Sequence, residues 1–304
     1  MFAVETENLS KQFKSITAVK NLNLKIETGS VFGLLGPNGA GKTTTLRMLM
    51  GFASPTGGKA YILGEEVTTY VKDYQKKIGY LPDVPAFYNW MQAGEFLHFS
   101  GELMGMKSKK LKQRIQKLLQ ITGLKDVDTK IGGFSRGMKQ RLGLAQALIN
   151  EPEIVFMDEP TSALDPIGRK EVLELIREFS GEITVILSTH ILTDVERVCD
   201  TVGILNEGKL IKQKKMTDLK REYFESVLKI EVIGDKVSNF CGELNNKDWV
   251  ESIENKSGNI RLVVSDIELA QVKLPGIIGN FNLKLNNFET AETTLEDIFV
   301  KVVG

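Results

Sequence analysis

Hydrophobic positions along the first two thirds of the chain follow two spacings. Short unbroken apolar runs cover residues 31–35, 154–157 and 184–187, each flanked by polar or glycine-rich turns. Runs this short and this apolar predict strands buried on both faces. Between them the spacing becomes helical. Leu46, Leu49 and Met50 fall on one face, and Gly51 sits where a helix C-terminal glycine belongs. Val172, Leu175, Ile176 and Phe179 do the same after Asp165-Pro166, which reads as an N-cap with a first-turn proline. Strands alternating with helices in this way predict a mostly parallel sheet with covering helices. Leu22, Leu24 and Ile26 alternate as in an antiparallel strand near the start. Residues 202–211 read as a hairpin turning at Asn206-Glu207-Gly208.

Two stretches depart from this texture. Residues 88–131 show no clear strand but keep helical spacing around a lysine-rich middle (Lys107, Lys109, Lys110, Lys112), which predicts a helical insertion in the α/β core. The stretch 107–117 reads as a solvated helix face, with contact to anionic lipid headgroups as the sharper alternative. After about residue 216, strand-like runs at 227–233, 260–264 and 283–288 alternate with short helical ones, ending at a capping-box start, Thr294 to Asp297. That pattern predicts a small α+β domain over residues 217–304, of ferredoxin-like type.

Composition narrows the function classes. The 304 residues are 42% hydrophobic and 26% charged, as in an ordinary globular protein. Lys plus Arg and Asp plus Glu number 39 each, so no net positive field argues for nucleic acid. Cys199 and Cys241 are too few for a disulfide framework or a zinc cluster, which fits a reducing cytosol. The opening MFAVETENLS lacks the pattern of a secretory leader, and no apolar stretch approaches the roughly 18 residues of a membrane span. Any membrane role is therefore expected to need another chain.

Chemistry concentrates in two motifs. Gly36-Pro-Asn38-Gly39-Ala40-Gly41-Lys42-Thr43, followed by Thr44, matches the phosphate-loop pattern between a strand and a helix. Glycines let the backbone curl so that its N–H groups surround phosphates, and the helix N-terminus adds partial positive charge. Lys42 would reach the β- and γ-phosphates of a nucleotide, and the Thr43 hydroxyl would ligate Mg²⁺. The second motif, Ile154-Val-Phe-Met-Asp158-Glu159, places two carboxylates at the carboxyl edge of the sheet. Asp158 would hold Mg²⁺ through water, and Glu159 would polarise the attacking water as general base. A third segment, Ser135-Arg136-Gly137-Met138-Lys139-Gln140-Arg141, reads on its own as a capped amphipathic helix.

In this order the three segments resemble the ATP-binding subunits of ABC transporters over essentially all of residues 1–215. The resemblance implies an ABC-type phosphate-loop ATPase core with an antiparallel β subdomain, and a helical subdomain at about 88–150 within a nucleotide-binding domain of residues 1–216. It implies ATP and Mg²⁺ as ligands. It also implies head-to-tail pairing with a second copy, and transmembrane permease subunits that hold the protein at the cytoplasmic face of the cell membrane. Ser135, Gly137 and Met138 correspond to the signature loop that reaches the partner's γ-phosphate. Residues 162–165, Ser-Ala-Leu-Asp165, resemble the D-loop. Ser-Thr-His190 resembles the switch histidine segment, and Phe13 stands where the family places an adenine-stacking aromatic. The Q-loop glutamine position falls on Asp83, one methylene shorter than glutamate and without an amide donor, yet able to bind Mg²⁺ or its water. Arg136 replaces a small residue of the signature. Pro82-Asp83, the Met138-Lys139-Gln140-Arg141 segment and the terminal Thr294 to Phe299 resemble a branch whose single-domain subunits pair with a separate permease and usually export.

Two rivals are weaker. A soluble ABC protein acting on ribosomes or DNA usually carries two cassettes or long coiled coils, and here there is one phosphate loop and no sustained heptads. A GTPase would need a guanine motif, but Asn246-Lys247-Asp248 is followed by Trp249, which breaks the spacing.

Overall fold

The three apolar runs form the centre of a six-stranded sheet in the computed structural model of the chain. It describes every residue except Val71, Lys72, Ala163, Phe224, Glu225, Glu292 and Gly304. Two compact units divide the chain, Met1–Met216 and Thr217–Val302. In the first, the strands run in the order Lys209–Lys215, Thr201–Asn206, Val31–Leu35, Thr184–Thr189, Ile154–Asp158, Ile78–Leu81. All neighbours are parallel except the first pair, the hairpin turning at Glu207 and Gly208. Every residue of the three central strands is buried, because helices cover a parallel sheet on both faces. Register brings Leu35 opposite Thr189 and Asp158 opposite Ser188. The residues that follow the apolar runs therefore emerge together along one edge.

An antiparallel sheet is built on the long strand Phe2–Phe13, which pairs with Ile16–Leu22, Lys25–Glu27 and Gly57–Ile62. Here the single strand expected at Leu22, Leu24 and Ile26 is divided. All three side chains are buried, but Asn21 turns to φ 46° and Thr6 bridges the break. The Thr6 hydroxyl donates to the Leu22 carbonyl at 2.8 Å and accepts from the Leu24 N–H at 2.7 Å. A side chain thus joins the break together with one backbone bond, from the Thr6 N–H to the Leu24 carbonyl at 2.9 Å.

The helical region contains Ala93–Leu103, Ser108–Ile121 and Arg136–Ala147. Ser108–Ile121 buries Leu111, Ile115 and Leu118 while Lys109, Lys110, Lys112 and Lys117 face solvent. Lys110 pairs with Glu151, and Arg114 donates to the Leu148 carbonyl at 2.6 Å. Among the described residues, no helix is long and apolar enough to cross a membrane.

In the second unit the strand order is Val250–Lys256, Asn259–Val264, Ser226–Ile233, Lys284–Ala291, antiparallel throughout. The helices Val237–Leu244 and Ile267–Asn280 intervene to give β-α-β-β-α-β, the ferredoxin-like arrangement. Its core gathers Leu228, Ile230, Phe240, Trp249, Leu262 and Leu274. The Thr294–Asp297 capping box forms as the sequence predicts: the Asp297 carboxylate accepts from the Thr294 N–H at 3.0 Å, and the Thr294 hydroxyl from the Asp297 N–H at 3.2 Å. Phe240→Ala removes a fully buried ring, and the cavity lowers the stability of this unit by about 3–5 kcal/mol. Urea unfolding followed by the fluorescence of Trp249, which is buried in the same cluster, measures it.

Candidate active site

Strand Val31–Leu35 delivers the chain to Gly36, and helix Lys42–Leu49 starts six residues later. Two close approaches fix the loop between them. A Cβ on Gly36 would lie 2.4 Å from the Leu205 carbonyl oxygen, and one on Gly41 2.4 Å from that of Ala18. Gly41 also has φ +102°, a conformation that L side chains rarely adopt. The Ala40 carbonyl accepts from the Gly208 N–H at 3.1 Å, which ties the loop to the turn of the Thr201–Lys215 hairpin. Asn38 and Gly39 stay exposed at the rim, Ala40 to Lys42 are buried, and Thr43 and Thr44 are half-buried.

Lys42 is only 6% exposed, so its charge needs partners. Its ammonium donates to the Gly36 carbonyl at 2.8 Å and the Pro37 carbonyl at 3.3 Å, and lies 3.6 Å from Glu159 Oε1. Asp158, the last residue of its strand, accepts through Oδ1 from the Thr43 hydroxyl at 3.1 Å and from the Ser188 hydroxyl. This concentration of hard oxygen donors suits a small divalent cation. Glu159 then leaves the extended path with φ 48°, its N–H donating to the Ser188 carbonyl at 2.9 Å. Its Oε2 accepts from the Thr189 hydroxyl at 3.1 Å and lies 3.0 Å from His190 Nδ1. Five of the residues singled out in the sequence (Lys42, Thr43, Asp158, Glu159 and His190) are thus in one group, joined by hydrogen bonds and by the Lys42–Glu159 ion pair.

The others sit around that group. Asp83 accepts from the Ser162 hydroxyl at 2.9 Å; among the described hydrogen bonds it makes none to Thr43 or Asp158. Tyr80, near both acids, has its phenol pKa pushed up by burial first and by the charge of Asp158 next, with Asp83 adding to the effect. Asp165 caps helix Pro166–Glu178 by accepting from the Gly168 N–H at 3.3 Å. Ala163 of the same segment lies outside the described residues. Ser135 caps helix Arg136–Ala147 by accepting from the Met138 N–H at 3.2 Å, and it is exposed together with Arg136. Gly137 and Met138 occupy that first turn, where a Cβ on Gly137 would come 4.0 Å from Leu164. Phe13 ends the first long strand with its ring 51% exposed and the Lys11 ammonium 5.0 Å from the ring centroid. Of this outer set, Ser162 has a described hydrogen bond to the central group, its N–H donating to the Glu159 carbonyl at 3.3 Å. Ser188 and Thr189 enter the sequence reading only as the residues that lead to His190, with no role of their own, although a polar pair closing a buried strand beside two acids is the signal for one.

Known proteins resemble this chain in sequence and in fold. The family model described as ABC transporter covers residues 19–162. An uncharacterized ABC transporter ATP-binding protein, YxlF of Bacillus subtilis (strain 168), is 42% identical over 98% of each chain. The bacitracin transport ATP-binding protein BcrA of Bacillus licheniformis is 36% identical, over 99% of this chain and 97% of that one. Among solved structures, a dimeric post-hydrolysis state of the ATP-binding cassette MJ0796, bound to ADP and Pi, superposes with a TM-score of 0.61 at 26% identity. It covers 70% of this chain and 98% of that chain. With a phosphate loop, an acidic strand end and a histidine in one bonded group, and with full-length relatives of this kind, the chain belongs to the ABC transporter family as an ATP-binding, ATP-hydrolysing subunit.

Proposed function

We propose that the subunit hydrolyses MgATP at an interface between two copies of itself and drives a separate membrane-spanning permease, in the export direction. The convergence of Lys42, Thr43, Asp158, Glu159 and His190 at the carboxyl edge of one parallel sheet carries this reading. In it, residues 1–216 are the ATPase domain and residues 217–304 an accessory domain. The protein sits on the cytoplasmic face of the membrane through its permease.

The backbone N–H groups from Gly39 to Thr44 cradle the phosphates, as the strand–loop–helix geometry favours. Lys42 has three protons to share among the Gly36 and Pro37 carbonyls and Glu159, so a phosphate oxygen enters by replacing one of these acceptors. Thr43 and Asp158 supply oxygens for Mg²⁺, whose charge when bound offsets that of the phosphates. Glu159 orients water. As the water oxygen bonds to the γ-phosphorus, the bond from that phosphorus to the β-phosphate oxygen breaks, and the water proton passes to the Glu159 carboxylate. His190, already against Glu159, takes the role of contacting the γ-phosphate. The exposed ring of Phe13 offers a face for adenine.

Ser135, Gly137 and Met138 of the partner subunit complete the site. Supporting this, their segment is an exposed helix N-terminus bearing partial positive charge, and the related cassette MJ0796 is a dimer in its ADP-bound and Pi-bound structure. Nucleotide that makes contacts only in the closed pair stabilises that pair, and loss of the γ-phosphate bridge opens it. Asp83, offered by sequence as a further ligand for Mg²⁺ or its water, accepts from Ser162 through Oδ1, which links the two loops that bear them and leaves Oδ2 for that role. Through that link the motion reaches the helical insertion and the permease. A transport role is supported by the relative named for bacitracin transport.

Lys42→Ala abolishes productive binding. Equilibrium titration with a fluorescent ATP analogue detects this, and wild-type affinity would contradict the phosphate-loop role. Glu159→Gln retains ATP, turns over at least about 100-fold more slowly, and accumulates as an ATP-bound dimer on size exclusion. The same variant, tagged and recovered from solubilised membranes with MgATP, co-purifies with a stoichiometric multi-span protein. Recovery with ribosomal proteins alone would move the function to a soluble ATPase.

A further inference from the structure

Strand Thr184–Thr189 ends in two fully buried hydroxyls, and each is bonded to a different acid of the neighbouring strand end. Ser188 donates to Asp158, and Thr189 donates to Glu159 Oε2. The Thr189 hydroxyl is held from its other side as well, because it accepts from the Ile191 N–H at 3.0 Å. With a lone pair committed to Ile191, its single proton points to Glu159. Thr189 is β-branched and buried, so its χ1 has little freedom. Glu159 by contrast is a flexible side chain on a backbone at φ 48°, just past the end of its strand. Among the described partners of its carboxylate, Lys42 lies at 3.6 Å and shares its protons with two carbonyls, and His190 is itself exposed, whereas the Thr189 hydroxyl is both buried and bonded to it.

We infer that Thr189 is a positioning residue for hydrolysis: its hydroxyl fixes one oxygen of the Glu159 carboxylate so that the other is presented to the attacking water. This rests on Glu159 being the general base. The geometry gives Thr189 no part in binding nucleotide, since none of its described hydrogen bonds goes to the phosphate loop. Its loss therefore lowers kcat and leaves KM for ATP in place. Hydrogen bonds to a charged group are strong enough that the fall should be about 10- to 100-fold.

The test is steady-state ATP hydrolysis by Thr189→Val, Thr189→Ser, Glu159→Gln and the double variant Thr189→Val/Glu159→Gln, each with its thermal unfolding midpoint. Valine keeps the shape and burial of threonine without the proton, and serine restores the proton. The expected result is a 10- to 100-fold loss of kcat in Thr189→Val at unchanged KM, recovery to within about threefold in Thr189→Ser, and no further loss when Thr189→Val is added to Glu159→Gln. A Thr189→Val rate within twofold of wild type would overturn the inference. An equal proportional loss in both backgrounds would overturn it too, because the hydroxyl would then act on something other than Glu159. Wild-type turnover by Glu159→Gln would instead remove the base assignment on which it rests, and Glu159→Gln alone makes that distinction.

Discussion

The parallel register that sets Asp158 opposite Ser188 is the constraint on which the rest of the site depends. It ends two buried strands at one level, so the acids of one strand meet the hydroxyls of the next. Burial makes this demanding: an unpaired carboxylate or ammonium among apolar strand ends would be costly, so each charge is matched by a donor or acceptor fixed to the backbone. The left-handed turn at Glu159 lets two adjacent acids serve different partners, Asp158 facing Thr43 and Glu159 facing Lys42 and His190. The phosphate loop is adapted to the same edge, with Gly36 and Gly41 pressed against backbone carbonyls that leave no room for a side chain.

Much of this could be read from the residues in order. Central strands declare themselves because burial on both faces leaves no polar position to interrupt them, as in residues 154–157. The hairpin at Glu207-Gly208 and the caps at Asp165, Ser135 and Thr294 are local, and local signals survive in a single sequence. The first long strand, Phe2–Phe13, was not legible. It pairs on both edges with register shifts, so its buried positions follow no simple alternation. The break after Leu22 is hidden for a related reason: Thr6, far away in sequence, supplies bonds that permit it. Within the site, motif order pointed to Lys42, Asp158 and Glu159, but the Asp83–Ser162 bond joins residues 79 positions apart. Such long-range pairings depend on how the elements pack and leave no mark on local pattern.

The lysine-rich helix turns part of its charge inward to its neighbours. Its apolar side is buried, Lys110 has found Glu151 and Arg114 a carbonyl, so part of the positive charge holds the helical region together. The remaining lysines are exposed, on a face open to water and to anionic headgroups alike.

In the second unit, strand Ser226–Ile233 comes first in the chain and lies inside the sheet, where one of its neighbours is the unit's last strand, Lys284–Ala291. During synthesis, the early strand therefore emerges long before that neighbour exists. Until then its inner edge is bare, with Leu228 and Ile230 lacking part of their cover. The sheet is complete only once residues 284–291 are in place beside residues 226–233, so the unit's central pairing is one of high sequence separation, which slows folding.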